Sequence, residues 1–279
     1  METLVFEGTL TALTPIFSGG DEKTGTETLL RRIKFIVGDE PVEVPFISGN
    51  SIRGVLRRLL FQDFFKRVGY EIKSTKLFYL FSGGALEEAA EEEAGVLDLQ
   101  LRRMIRSSLP PLSLLGGAIA NQTFSGKLTV GMALPVCREL NDFLPVKSNL
   151  SFYDYLTFTF ATRHAERDMP ESVQEKPPRG QEKAEPTVQM MYNIECFAPG
   201  TKFYHKFTLM DATPIEKSCF AWMIELWRQR PILGGKSAIG YGQVLIDYPT
   251  ITFPVEPYLS FLEERRDEIV KALEKLDKL

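Results

Sequence analysis

One stretch constrains the fold more than any other: Pro45-Phe46-Ile47-Ser48-Gly49-Asn50-Ser51-Ile52-Arg53-Gly54-Val55-Leu56-Arg57-Arg58-Leu59-Leu60. It reads as the end of a strand, a tight polar turn and the start of a helix. Pro45 and Gly49 punctuate the turn, and Asn50 or Ser51 is the expected N-cap, its side-chain oxygen accepting from free helical N–H groups. Ile52, Val55, Leu56, Leu59, Leu60 and Phe64 then recur at helical spacing, so one face enters a core. Gly69 should stop this helix after about Arg67. Arg53 and Arg57 stand one turn apart with Arg58 beside them. A helix N-terminus with short hydroxyl and amide side chains, and guanidiniums just behind, suits an anion and above all a phosphate. An ordinary capped helix with solvated arginines fits the same letters.

A second unusual stretch lies near the far end, Leu233-Gly234-Gly235-Lys236-Ser237-Ala238-Ile239-Gly240-Tyr241-Gly242-Gln243-Val244. Its glycines let a backbone turn sharply and come close to a ligand. Gly235-Lys236-Ser237 hints at a Walker A loop, but the first glycine of that motif would fall on Arg230. More glycine and a strand follow, where the motif requires a helix. No G-x-G-x-x-G occurs, so nucleotide-binding loops are set aside.

Composition narrows the class. The 279 residues, 44% hydrophobic and 25% charged, are those of a globular protein with ample length for a core. No run of eighteen apolar residues and no basic leader is present, so neither a membrane span nor a signal peptide is expected. Cys137, Cys196 and Cys219 are far apart and odd in number, and read as reduced thiols of a cytoplasmic protein. With His164 and His205 as the only histidines, a zinc site or a histidine-based triad is not expected, nor is any metal or cofactor. The net charge of −4 argues against an indiscriminate nucleic-acid coat. The acids are unevenly spread, however, and Glu87–Glu93 and the C-terminal helix carry many of them. Arg31, Arg32, Arg53, Arg57, Arg58, Lys66 and Arg67 are left together in one N-terminal region.

Along the chain, 3–13 alternate imperfectly as a first strand, and 14–30 read as a polar loop. Arg31–Val37 and Val42–Ile47 form a hairpin about Gly38-Asp39-Glu40-Pro41. Residues 75–120 are an insertion of helical character, with Leu97–Ser107 amphipathic and Pro110-Pro111 ending it. Glu87–Glu93 reads as a solvated helix face. Thr123–Val136 is a second core strand. Tyr153–Thr162 and Thr187–Glu195 make a long hairpin around a low-complexity tip, 163–187, with little to bury. Thr201–Met210 continues the sheet, Pro214 opens a helix through Gln229, Tyr241–Tyr248 is the last strand and Pro257–Leu279 an amphipathic helix. Without the insertions the order is strand, helix, strand, strand, helix, strand. The expected class is therefore α+β, a ferredoxin-like (modified RRM) sheet in a single domain over 1–279. It carries a helical insertion at about 70–120 and a protruding hairpin at about 150–195.

The two glycine-bearing stretches, with the opening Phe6-Glu7-Gly8-Thr9-Leu10-Thr11-Ala12-Leu13-Thr14-Pro15-Ile16-Phe17-Ser18-Gly19-Gly20, together resemble the RAMP superfamily of CRISPR-associated proteins. The match is to its backbone subunit, nearest to the type IV systems. That resemblance covers both ends and little of the middle. It implies copies stacking into a helical filament on CRISPR RNA, in contact with complementary target DNA or RNA and other effector subunits. Grip would be by charge and shape, with sequence read by base pairing. Ser48, Asn50, Ser51, Arg53 and Arg57 would lie beside RNA phosphates. Gly234, Gly235, Lys236, Ser237 and Tyr241 would lie close to them across the fold. The hairpin would be the family's thumb, with Met190, Met191 or Tyr192 as the wedge between bases, though each fits sheet packing as well. The alternative implied by cleaving relatives is an endoribonuclease using loop carboxylates. Asp21, Glu22 and Glu27 are the candidates, but the Ile-Asp-Ser-Pro context of those relatives is missing. No catalytic residue is assigned.

Overall fold

The computed structural model describes residues 2–24, 27–83, 98–119, 122–163 and 190–278. At its centre lie β1 (Thr3–Ala12), α1 (Gly49–Val68), β2 (Leu128–Val130), β3 (Lys202–Met210), α2 (Pro214–Gln229) and β4 (Val244–Asp247). The spatial order is β4-β1-β3-β2 and every neighbouring pair is antiparallel. This is the ferredoxin-like arrangement expected from the element order. Period-two alternation sends Phe6 and Leu10 of β1 and Phe203, Phe207 and Leu209 of β3 to the buried face. Phe6 and Phe207 meet Phe220 of α2 there, with ring centroids 5.3 and 5.5 Å away.

His205 shares that buried face. Its Nε2 donates to the Gly131 carbonyl, 3.0 Å away, and its Nδ1 accepts from the Tyr248 hydroxyl at 2.6 Å. Burial holds its pKa down to about 4, so the ring is neutral. Glu216 is buried too, in a capping box that Thr213 and Pro214 start for α2. Desolvation alone would raise its pKa. Hydrogen bonds from Lys127, 2.6 Å away, Ser113 and the Thr213 N–H outweigh this and hold the carboxyl below its usual range.

Several expected boundaries shift, each for a local reason. Pro110 and Pro111 do not end the insertion. They open a second short helix, Pro110–Leu115, where a missing N–H costs nothing. The strand expected over 123–136 is broken, because Gly126 passes so close to the C-terminus of that helix that a Cβ would lie 2.3 Å from the Leu114 carbonyl. Only Leu128–Val130 and Leu134–Pro135 join β3, while Gln122–Phe124 pairs with Gly117–Ile119. The last helix is two, Glu256–Glu264 and Arg266–Asp277. The hairpin after residue 30 is Arg32–Val37 with Glu40–Pro45, turning at Gly38 with φ +63°.

The largest departure is in 14–30. Instead of a loop, Gly19–Thr24 and Glu27–Leu30 form a hairpin that pairs in parallel with the thumb, Glu27 opposite Asn193 and Thr28 opposite Ile194. The thumb strands are Leu156–Arg163 and Met190–Phe197, antiparallel from Leu156↔Phe197 to Arg163↔Met190. Buried Glu195 fastens the root, accepting from the Leu30 N–H at 2.8 Å and from the Arg32 guanidinium. The expected tip and the acidic run Glu87–Glu93 lie outside the described residues.

Candidate nucleic-acid interface

The start of α1 is built around Ser48, and this corrects the expected cap. Ser48, not Asn50 or Ser51, is the N-cap; its hydroxyl accepts from the Ser51 N–H at 3.2 Å and its carbonyl from the Ile52 N–H at 3.3 Å. Gly49 seats the helix on the sheet, since a Cβ there would lie 2.4 Å from the Val130 carbonyl. Asn50 is exposed at this end, with Ser48 and Ser51 half-buried beside it. A helix N-terminus carrying these three side chains is suited to an anion by its free donors and dipole.

Arg57 does not face solvent beside them, contrary to expectation. It is 6% exposed. Its guanidinium donates to the Leu115 carbonyl at 2.8 Å and the Gly116 carbonyl at 3.1 Å, and lies 5.6 Å from the Phe61 ring centre. Arg53, half-buried, also donates to Leu115 O. The cause is the helix Pro110–Leu115, whose C-terminal carbonyls point at this side of α1 and attract cations. Burial, then the charge of Arg53, lowers the Arg57 pKa to about 10, so it remains a cation near neutrality. Burial lowers Arg53 as well. Both arginines hold the insertion onto α1, and Arg57 is not placed to meet a phosphate.

The next residue turns the other way. Arg58 is exposed and lines a cleft of about 220 Å³ between α1 and the glycine stretch. Val55, Leu59 and Gln62 line it from the helix, and Arg230, Ile232, Gly234 and Ser237 from across the fold. The structure thus brings Gly234 and Ser237 to α1, but to Arg58 in place of Arg53 and Arg57. Sequence reasoning passed over Gln62 and Arg230. The signal for Gln62 was its spacing four residues beyond Arg58, on the same helix face. Among the described residues neither Arg58 nor Arg230 makes an ion pair or side-chain hydrogen bond.

The glycine stretch is pinned, not free. Gly235 N–H donates to the Phe17 carbonyl at 2.8 Å and Gly242 N–H to the Pro15 carbonyl at 2.9 Å. Gly234 has φ +81° and a Cβ there would lie 2.4 Å from Phe17 O; Gly242 has φ +86° and one would lie 2.1 Å from Leu233 O. Gly235 is exposed, and a Cβ there would lie 3.3 Å from the Phe17 ring, a tight contact that a small shift of the ring relieves. Lys236 takes the left-handed conformation at φ +60° and sets its ammonium 5.6 Å from the Phe17 ring centre. Ser237–Ile239 make one exposed 3₁₀ turn, and Tyr241 is half-buried.

On the thumb, Met190, Met191 and Tyr192 lie opposite Arg163, Thr162 and Ala161, at the end of the hairpin away from Glu195. Their side chains lie outside the described residues. The neighbouring strand shows a feature the reading missed: Phe158 and Phe160 are 52% and 65% exposed on one face. The alternation Thr157-Phe158-Thr159-Phe160 carried that signal. Glu27 is exposed, while the side chains of Asp21 and Glu22 lie outside the described residues. Among the described residues no group of three or more His, Cys, Asp or Glu could hold a metal ion, and no helix is long and apolar enough to cross a membrane.

No protein-family model matches the chain, and no curated protein does. A solved chain described as "Type IV-B CRISPR Complex" is similar in structure, with a TM-score of 0.66 at 22% sequence identity over 88% of this chain and 91% of that chain. Both chains are matched over most of their length.

Proposed function

We propose that the protein is a RAMP-type backbone subunit of a CRISPR effector complex, binding guide RNA and stacking with copies of itself beside other effector subunits. The observation that carries this reading is the fold likeness to a chain of a Type IV-B CRISPR complex over nearly all of both chains. The cleft between α1 and the glycine stretch supplies its chemistry. Among the described residues Arg58 and Arg230 are cations without side-chain partners, and guanidinium forks match phosphate oxygens. Ser48, Asn50 and Ser51 add a helix N-terminus, and Lys236 a point charge. Phe158 and Phe160 offer aromatic faces on which unpaired bases stack. A complementary DNA or RNA strand would then be read by pairing to the guide, not by this chain.

The role proposed is holding, without cleavage. Metal-assisted hydrolysis needs carboxylates fixed close to the scissile phosphate, and a misplacement of about 1 Å costs on the order of a hundredfold in rate. Glu27 is exposed at the start of a strand, and among the described residues no side chain bonds to its carboxylate. The test is to purify the protein with its guide and digest the exposed RNA. Protected lengths in regular multiples support the assembly, and protein free of nucleic acid overturns it. Adding labelled complementary RNA with Mg²⁺ to the same preparation tests holding against cutting. Fragments at regular spacing that disappear in Asp21→Ala, Glu22→Ala or Glu27→Ala would establish the endoribonuclease.

A further inference from the structure

We propose that the helix Leu99–Ser108 carries a second phosphate-binding surface, formed by Arg102, Arg103 and Arg106, for a stretch of nucleic-acid backbone apart from the α1 cleft. Two hollows of about 490 and 380 Å³ are both lined by Arg102 and Arg106. Leu99, Arg103 and Ser107 complete the first, and Thr123, Phe124 and Ser125 the second. The two shared guanidiniums are held in place. Arg102 donates to the Thr123 carbonyl at 2.7 Å, and Arg106 to the Ser113 and Ser125 carbonyls at 2.7 Å each. A carbonyl satisfies a donor without cancelling its charge, so both side chains lose rotamer freedom yet remain cations. Among the described residues none of the three arginines forms an ion pair, and Arg103 is exposed with no partner. Asp98 serves as the N-cap of this helix, accepting from the Leu101 N–H.

Fixed positive charges along adjoining recesses suit a linear polyanion, and guanidinium forks suit phosphate in particular. No residue is shared with the cleft at Arg58 and Arg230. The choice of nucleic acid as the polyanion rests on the function proposed above; the cationic surface does not.

Arg103 is the residue to vary, because among the described residues no hydrogen bond or ion pair depends on its side chain. Binding of a labelled single-stranded RNA and of a labelled DNA duplex would be measured across a salt series. The proteins would be wild type, Arg103→Ala, Arg103→Glu, Arg103→Lys and Arg58→Ala. Losing one phosphate contact should weaken binding of the responding probe about fivefold near 0.1 M salt and lower the salt slope by about 0.7 for RNA or 0.9 for duplex. Arg103→Glu should exceed that, Arg103→Lys should restore most of it, and the loss should multiply with that of Arg58→Ala. The probe that responds identifies the strand. Unchanged slopes in every Arg103 variant, with Arg58→Ala impaired, would sink this surface and leave the proposed function standing. Wild-type protein that binds neither probe would overturn both. A lower thermal midpoint in Arg103→Glu with no change in slope would assign the arginines to the chain's own packing and also reject the surface.

Discussion

Arg57 and Arg58 are adjacent in sequence and opposite in use. One is buried against the carbonyls that end the helix Pro110–Leu115; the other opens onto the glycine stretch. The helix dictates that they diverge by about 100°, and what lies on each side decides what each charge does. An arginine count therefore says little about anion binding. A guanidinium becomes available only where it keeps access to solvent, which Arg57, buried against chain carbonyls, does not.

The contrast breaks most sharply at Arg57. Arg57→Ala would leave the Leu115 and Gly116 carbonyls short of donors and remove the packing on Phe61. We expect a loss of about 3 kcal/mol and a fall of several degrees in thermal midpoint. A midpoint within a degree of wild type would show that the burial is idle. Substitution in the glycine stretch should split in the same way. Gly242→Val meets a carbonyl at 2.1 Å in a left-handed backbone, and should cost more than about 2 kcal/mol. Gly235→Val should fold normally, and equal destabilisation of the two would refute the assignment of strain to Gly242.

His205 extends the comparison to a buried base kept neutral. Its folded pKa of about 4 lies below the ordinary 6.5, so the unfolded chain binds more protons between those values. Stability should fall as pH drops from 6.5 towards 4, by up to about 3 kcal/mol from this group. Denaturation curves across that window should be less steep in pH for His205→Phe than for wild type. An identical slope would place the acid sensitivity elsewhere. The smallest effect on stability, within about 0.5 kcal/mol, belongs to Arg58→Ala with Arg230→Ala. Binding to single-stranded RNA should nonetheless fall about 25-fold near 0.1 M salt, at roughly fivefold per contact. Unchanged binding would leave the cleft without a ligand.

The ferredoxin-like order was legible because β1, α1, β3 and α2 carry strong periodicity and Thr213, Pro214 and Gly69 mark ends by local chemistry. The start of α1 was legible to within a turn. The hairpin at 19–30 was not, since its pairing depends on a thumb strand some 165 residues away, joined through Glu195. Turn and glycine signals mark Ser48, which caps α1, and Gly234 and Ser237, which line the cleft. Arg57 was misplaced for want of knowing that Pro110–Leu115 would present its carbonyls there. Arg230 was used only to reject a Walker loop, and nothing near it in sequence marks it as facing Arg58.

The place of β1 at the middle of the sheet also sets a timetable. Both of its hydrogen-bonded neighbours, Lys202–Met210 and Val244–Asp247, come from the last third of the chain. At about 5–20 residues per second, a ribosome needs roughly 10 to 40 s to make the stretch between β1 and β3. Throughout that interval both edges of β1 are open, so the core cannot close before β3 and β4 have been made. A nascent chain halted before residue 202 should remain sensitive to protease across β1 and α1.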